Sequence, residues 1–234
     1  TDLENLTNVS NLFNGCTNLA TAKIDGNFAV LPSTSLKSLF KDKSKLTTAE
    51  IKGIFPLITT LEFLFQNCSS LASATIEADF PEVTTTQEMF RNCDAITSAL
   101  FNVDGTADVV IKGDFSKLTN MNGTMRDCDK LNTATINLPD AATQVNNFFK
   151  SSKLTSATVN NFNSVTTMES MFSSCTNLTD VTLNGDFSNV TTIAELFNSS
   201  TAISSVSLND GNADFSSLSN VYRMVKNWDI SKYD

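Results

Sequence analysis

The five cysteines carry the most reactive side chains of this sequence, and all of them have the same setting. Each follows a phenylalanine or methionine by three residues, in segments that repeat one another: Cys16, Cys68, Cys93, Cys128 and Cys175. Stacked segments would place the thiols in a parallel row, which suits neither a shared metal ion nor the facing geometry of a disulfide. Two further segments have Ser152 and Ser200 at this position. We therefore predict buried free thiols bonded to nearby backbone, with a disulfide or a metal or redox role as alternatives.

Carboxylates are the other side chains that could bind a metal ion. Residues 104–108 and 210–214 both read Asp-Gly-x-Ala-Asp, and paired carboxylates across such a turn could hold Ca²⁺. Turns rich in Asp and Gly are also common without metal, so calcium stays an alternative and no metal site is predicted. The chain has no histidine, which removes the usual general base and the commonest zinc ligand. With no nucleophile–base pair or phosphate loop visible, the sequence predicts no catalytic residue, no enzyme and no cofactor.

The secondary-structure elements that position these side chains can be inferred from residues 162–187. In its first half, apolar residues recur at helical spacing from Val165 to Cys175. Thr166 and Glu169 fit a capping box at the start of a short helix, as do Thr59 with Glu62 and Thr84 with Gln87. In its second half, alternating apolar residues up to Leu183 predict a short strand. Neither half can bury its apolar face alone, so the units must stack.

Copies of this unit fill the chain. The position of Met171-Phe172 occurs nine times along the chain. The interval between the fourth and fifth copies is lengthened by an insertion, Val103 to Lys112. We therefore predict an α/β fold with a single domain over residues 1–234, a solenoid of about nine strand–helix units of about 25 residues with a parallel sheet on one face. The 17 phenylalanines, against two tyrosines and one tryptophan, suit a core better than a binding platform.

Charge and hydropathy narrow the choice of partners. The net charge is −9 and no basic residues cluster in the sequence, which argues against nucleic acid and anionic membranes as partners. No apolar run is long enough to span a membrane. No signal peptide is visible, and because the sequence starts with Thr1 we expect an export signal and an anchor to lie outside it.

The stretch NSVTTMESMFSSCTNLTDVTL, residues 163–183, resembles the BspA-type leucine-rich repeats of bacterial surface proteins. The resemblance extends over essentially the whole chain, with departures such as Lys43 at the cysteine position. It implies a right-handed solenoid of an exported or cell-surface protein, with a role in adhesion to host proteins or to other cells. The family offers no catalytic residues to carry over, and its fold alone does not determine a function.

The outward side chains of the predicted strands are the candidate binding residues. The first three strands carry mixed charges, whereas the later ones present Ser, Thr and Asn. Such a face is either plain solvated sheet or a surface that binds a protein or a glycan, and its Thr rows also suggest ice binding. A structural spacer that holds another domain away from the cell surface is the alternative function. The predicted binding residues are Thr133, Thr135, Asn137, Ser156, Thr158, Asn160, Asp180, Thr182, Asn184, Ser205, Ser207 and Asn209.

Overall fold

The fold is a coil of parallel strands stacked into one sheet. A computed structural model describes residues 7, 9, 12–209 and 213–225. Each regular coil consists of one strand and a turn-rich segment that returns the chain to the next strand. The described part of the chain contains nine strands in one sheet. In chain order these are β1 (Thr21–Asn27), β2 (Thr48–Ile54), β3 (Ser73–Asp79), β4 (Ser98–Phe101), β5 (Val109–Lys112), β6 (Thr133–Asn137), β7 (Ser156–Asn160), β8 (Asp180–Asn184) and β9 (Ser205–Leu208).

The register of the sheet confirms the predicted stacking. Thr135 of β6 pairs with Thr158 of β7, which pairs with Thr182 of β8, so like positions of successive repeats are neighbours. Alternate strand residues point inward, where small Ala or Val residues form one row and larger apolar residues form the next. Because the side-chain period of a strand is two, this register keeps every polar position on the outer face.

The insertion adds a strand that the sequence analysis did not predict. Strand β5 lies between β3 and β4, so the order in the sheet is β1-β2-β3-β5-β4-β6-β7-β8-β9. Val109 pairs with Ala74 on one side and with Ala99 on the other. The opposite side of the solenoid has no matching extra layer, since Thr86 donates directly to the carbonyl oxygen of Asn120 at 3.0 Å. The sheet side is therefore one strand spacing, about 4.8 Å, longer at this point.

The predicted helices are wrong, because the described residues contain strands and turns but no α-helix. In the segment from Met168 to Cys175, residues Ser170 and Ser174 have φ values of 55° and 62°. A left-handed residue at every fourth position interrupts an α-helix and produces consecutive turns instead. The spacing of the apolar residues fits both structures, since turns of four residues also return the chain to the core every three or four positions.

Backbone hydrogen bonds on this side, which we call the turn side, alternate between two kinds. The amide of Ser173 donates to the carbonyl of Ser170 within its own turn at 3.1 Å. The amide of Phe172 instead donates to Leu196 of the next coil at 3.0 Å. The turn side is thus tied to its neighbours much as a sheet is, and the molecule is a β-solenoid with leucine-rich-repeat spacing rather than a stack of strand–helix units.

The threonines that were predicted to cap helices have another role. Thr166 Oγ1 donates to the backbone oxygen of Thr143 in the preceding coil at 3.1 Å. Thr84 bonds to the oxygen of Thr59 in the same way at 3.3 Å. These hydroxyls form a ladder along one corner of the solenoid, so they hold successive coils together instead of capping helices.

Two rows of stacked phenylalanines fill the core, as the high phenylalanine content predicted. In the first row Phe40, Phe65 and Phe90 stack with ring centroids 5.3 and 5.2 Å apart. The second row follows the strands, and its Phe55 and Phe80 stack at 4.9 Å. Aromatic pairs at these distances add to the free energy gained from their burial. Each row brings one large side chain per coil into the space left by the small inward Ala residues.

Candidate binding surface

The outer face of the sheet brings the predicted binding residues together. Their side chains form three rows across β6–β9: Thr133, Ser156, Asp180 and Ser205; then Thr135, Thr158, Thr182 and Ser207; then Asn137, Asn160, Asn184 and Asn209. We call these twelve residues the polar zone. Asp180 is the one charged side chain in it. Asn209 lies just beyond the end of β9.

The asparagine row is a hydrogen-bonded ladder. Asn160 Nδ2 donates to Asn137 Oδ1 at 2.7 Å, and Asn184 Nδ2 donates to Asn160 Oδ1 at 2.9 Å. At the end of the row, Asn209 exchanges hydrogen bonds with the backbone of Gly185 instead of with the Asn184 side chain. A side-chain amide has two donors and two lone pairs, so each amide inside the ladder retains one donor and one lone pair for a ligand.

The threonine row is half-buried between its neighbouring rows. Thr135, Thr158 and Thr182 are each of intermediate exposure, and they pair in register across three strands. In the outermost row, Asp180 Oδ2 accepts a hydrogen bond from Thr179 Oγ1 at 2.6 Å. The zone thus combines hydroxyls, amides and one carboxylate on a regular frame, which is a surface of adaptable hydrogen-bonding groups.

The first three strands carry the mixed charges that the sequence predicted, arranged as an ion-pair lattice that we call the charged zone. Lys52 Nζ lies 2.9 Å from Glu50 and 3.2 Å from Glu77, and Lys23 Nζ lies 3.2 Å from Glu50. Hydrogen bonds from Lys52 and then Lys23 lower the pKa of Glu50, and the bond to Glu50 raises the pKa of Lys52. Solvent screens these exposed pairs, so the lattice contributes little to stability.

A small apolar area separates the two zones, and the sequence analysis missed half of it. Leu100 of β4 lies beside Val110 of β5 in the outward row, both at intermediate exposure. Val110 belongs to the unpredicted strand. Its neighbours Val109 and Ile111 are fully buried, and this run of β-branched residues was the available strand signal.

The cysteine row has the predicted structure at four of its five positions. Cys68, Cys93, Cys128 and Cys175 are buried, and each thiol donates to a backbone oxygen of the preceding coil at 3.0–3.2 Å. Ser152 makes the equivalent bond, to the oxygen of Met125 at 2.7 Å. Burial raises the pKa of Cys128 and of Cys175 to about 12. Cys16, at the first coil, is exposed and so departs from the expectation.

Of the two Asp-Gly-x-Ala-Asp turns, residues 104–108 are described in full. Asp104 Oδ1 accepts a bond from Lys112 at 2.8 Å, whereas Asp108 Oδ2 accepts bonds from the amide and hydroxyl of Thr97 at 2.7 and 2.8 Å. Each carboxylate of this turn is thus engaged with a different partner. Asp210 of the second turn lies outside the described residues. In the part of the chain that is described, no cluster of metal-binding side chains occurs.

Comparisons with known proteins divide the chain into two parts. Residues 108–222 match the profile of the BspA type leucine rich repeat region, in six copies. Residues 1–103 match the profile of a Mycoplasma protein of unknown function, DUF285. We found no significant match to a curated protein or to a solved structure.

Proposed function

We propose that this chain, whose residues 108–222 match the BspA type leucine rich repeat profile, is a non-enzymatic repeat protein of that family that binds a protein or glycan through its strand face. The family profile supports a surface repeat protein. The adhesion-type role and the binding face are our proposal. We also propose that the protein is exported or displayed at a cell surface. The described residues include no membrane-spanning helix.

The observation that carries the proposal is the regular polar zone itself. Four strands in register display hydroxyls and amides on a face without aromatic side chains and with Asp180 as its one charge. A frame of this kind holds its groups in fixed positions, which lowers the entropy that is lost when a ligand binds. The unused donors and lone pairs of Asn160 and its neighbours point to a ligand that both donates and accepts hydrogen bonds.

The area of the strand face limits the size of the partner that it can bind. Nine strands at about 4.8 Å spacing extend over about 40 Å, and five strand residues extend over about 17 Å. The whole face therefore approaches the roughly 800 Å² per partner of an ordinary protein interface, while the polar zone alone is smaller. A protein partner would reach past β6 onto Leu100 and Val110, and a glycan would fit within the polar zone.

The test replaces the central row of the polar zone. Thr135→Lys, Thr158→Lys and Thr182→Lys in one variant add three long charged side chains that block close approach and repel cations. The matched control is Ala141→Lys, Ser164→Lys and Asn189→Lys. Those positions lie at equivalent places in the turns that follow β6, β7 and β8, away from the strand face. Both variants and the parent chain are screened against arrays of host matrix proteins and glycans.

We expect the parent chain and the control to bind a common ligand, and the Thr variant to lose it. Equal binding by all three proteins would place the ligand elsewhere on the molecule. Binding to nothing by the parent chain would favour the spacer function. That alternative has its own support, because the Asn ladder satisfies part of its hydrogen bonding internally.

A further inference from the structure

A second surface with a different chemistry lies on the turn side of the first coils. There a groove of about 550 Å³ is lined by three lysines, one aspartate and neutral residues. We call it the lysine groove. Its lining includes Lys37, Lys41, Lys43, Asn14, Thr17 and Ser38.

The repeat explains how these lysines come together. Lys37 and Lys41 project from one turn segment, on either side of the buried Leu39 and Phe40. Lys43 occupies the position that holds a buried cysteine in other coils, and its side chain is half-buried. In the sequence the lysines are separated by other residues and so did not register as a basic cluster.

The charges of the groove are only partly balanced by carboxylates. Lys37 Nζ pairs with Glu62 at 2.6 Å, and Lys41 Nζ lies 5.4 Å from the centre of the Phe63 ring. Asp42 also lines the groove, and its Oδ1 accepts a bond from Asn67 at 2.6 Å. Among the described residues, neither Lys41 nor Lys43 has a carboxylate within ion-pair distance. Three lysines against two carboxylates leave an excess of positive charge, in a chain whose net charge is −9.

The lining determines which anion suits the groove. Lysine ammonium groups are compact point charges that suit sulfate and phosphate, whereas the two-pronged binding of carboxylates is typical of arginine, which the lining lacks. None of the residues that line the groove is aromatic, and the nearby Phe63 ring is already covered by the Nζ atoms of Lys37 and Lys41, at 5.7 and 5.4 Å from its centre. The groove therefore offers no open stacking platform for nucleic-acid bases. Asn14, Thr17 and Ser38 supply the donors and acceptors that sugar hydroxyls need.

We propose that the lysine groove binds a short segment of glycan that carries sulfate or phosphate esters. The negative charge of the rest of the chain disfavours a long polyanion, so contact is confined to the few sugar units that fit the groove. Binding is electrostatic and tightens as salt is lowered. This site lies off the strand face and is independent of the ligand of the polar zone.

The test measures binding of a sulfated hexasaccharide, a phosphorylated one and their unsubstituted parent by calorimetry at low and at physiological salt. We expect the substituted sugars to bind and the parent sugar to be silent. Lys41→Gln with Lys43→Gln should weaken binding about tenfold or more, because two charge contacts to the ester groups are lost. The sulfated and phosphorylated arms show which ester is preferred.

The matched control is Lys150→Gln with Lys153→Gln. Lys150 has the repeat position of Lys41 and the same intermediate exposure, so the control removes equal charge from an equivalent place. A second variant, Lys37→Gln with Lys41→Gln, leaves the cysteine-row position intact in case Lys43→Gln perturbs folding, and both are checked by circular dichroism. Equal affinity of the groove variants and the control would overturn the proposal. So would equal binding of an oligo-glutamate peptide or single-stranded DNA of matched charge, which would assign the groove to another class of ligand.

Discussion

The thiol of Cys93 donates a hydrogen bond to the backbone oxygen of Phe65, one coil earlier, at 3.1 Å. The same oxygen accepts a bond from the amide of Cys68 at 3.1 Å. One carbonyl therefore receives a bond within its own turn and another from the next coil. The position needs a small side chain that can donate, which explains why both cysteine and serine occur in it.

This relationship predicts an unusual order of stability among variants of Cys93. Cys93→Ala should lower the free energy of unfolding by about 1–2 kcal/mol, because it removes a buried hydrogen bond and leaves a small void. Cys93→Ser should lower it less, because a hydroxyl can make the bond that Ser152 makes. Urea unfolding of the two variants compares them. A serine variant less stable than the alanine variant would show that the position selects for apolar character alone.

The buried thiols also predict a loss of stability at alkaline pH. Burial raises the pKa of Cys68 from 9.0 to about 12, and the pKa values of Cys128 and Cys175 rise in the same way. Below pH 9 the thiols are protonated in both the folded and the unfolded chain, so their contribution is complete. Between pH 9 and 12 only the unfolded chain releases these protons, which stabilises it by up to about 1.4 kcal/mol per thiol and pH unit.

The measurement is the melting temperature at pH 8 and at pH 10.5. We expect a steeper fall for the parent chain than for a variant with serine at 68, 93, 128 and 175. The two proteins differ only at these four positions, so the difference between their pH profiles isolates the four thiols. At pH 8 a thiol-reactive dye should label Cys16 quickly and the buried thiols slowly. Parallel pH profiles for the two proteins would contradict the buried position of the row.

Gly113 should tolerate no side chain. Its φ is 145°, and a Cβ there would lie 1.9 Å from the carbonyl oxygen of Ala78. Gly26 is the matched control, since its φ is 154° but its nearest contact would be a Phe28 ring atom at 3.6 Å. Both alanine variants are strained, but only Gly113→Ala also forces backbone apart, so we expect it to be the less stable by at least about 2 kcal/mol. Equal melting temperatures would contradict the close packing of β3 against β5.

Removal of the insertion should leave a folded solenoid. Deletion of Val103–Lys112 joins Asn102 to Gly113 and gives the sequence Phe-Asn-Gly-Asp-Phe, which closely matches Leu-Asn-Gly-Asp-Phe at residues 183–187. Ala74 and Ala99, which now pair with opposite sides of Val109, would then pair directly. We expect a single cooperative thermal transition and a sheet-type circular dichroism spectrum.

A second deletion serves as the control for that experiment. Removal of residues 104–113 shortens the chain equally but places Val103 where Gly113 stood, beside the carbonyl of Ala78. This protein should unfold at a clearly lower temperature. If the first deletion fails to fold while the second succeeds, the role assigned to Gly113 at the junction is wrong, because both deletions remove β5. If neither protein folds, β5 is required for folding.

Much of the fold could be predicted because equivalent positions of successive repeats stack on one another. The eight regular strands begin where the alternation of residues indicated, from Thr21 to Ser205. The inward position of four cysteines followed from their shared place in the unit. Periodicity constrains neighbours strongly in a solenoid, since each coil contacts the coils before and after it.

The turn side could not be predicted from apolar spacing alone. Turns of four residues and an α-helix bring the same residues inward. The distinguishing signal was the residue before four of the five cysteines. Gly15, Asn67, Asn92 and Asp127 belong to the types that adopt the left-handed conformation, and all four have positive φ. Glu88 and Phe63 adopt it as well, and no residue preference would have indicated that.

Of the two candidate surfaces, one could be predicted from the sequence and the other could not. The polar zone was predictable because outward residues of in-register strands form rows. The lysine groove was not, since it depends on how the turn side folds and on which carboxylates come near Lys41 and Lys43. A charge count along the sequence cannot supply those distances.

Amide hydrogen exchange with and without a ligand shows whether that ligand contacts the polar zone. The experiment uses the ligand that the array screen identifies and compares the bound and free chains. We predict slower exchange in β6, β7 and β8, at Thr133–Asn137, Ser156–Asn160 and Asp180–Asn184, and unchanged exchange on the turn side. Protection confined to the turn side, with the three strands unchanged, would show that the polar zone is not the binding surface.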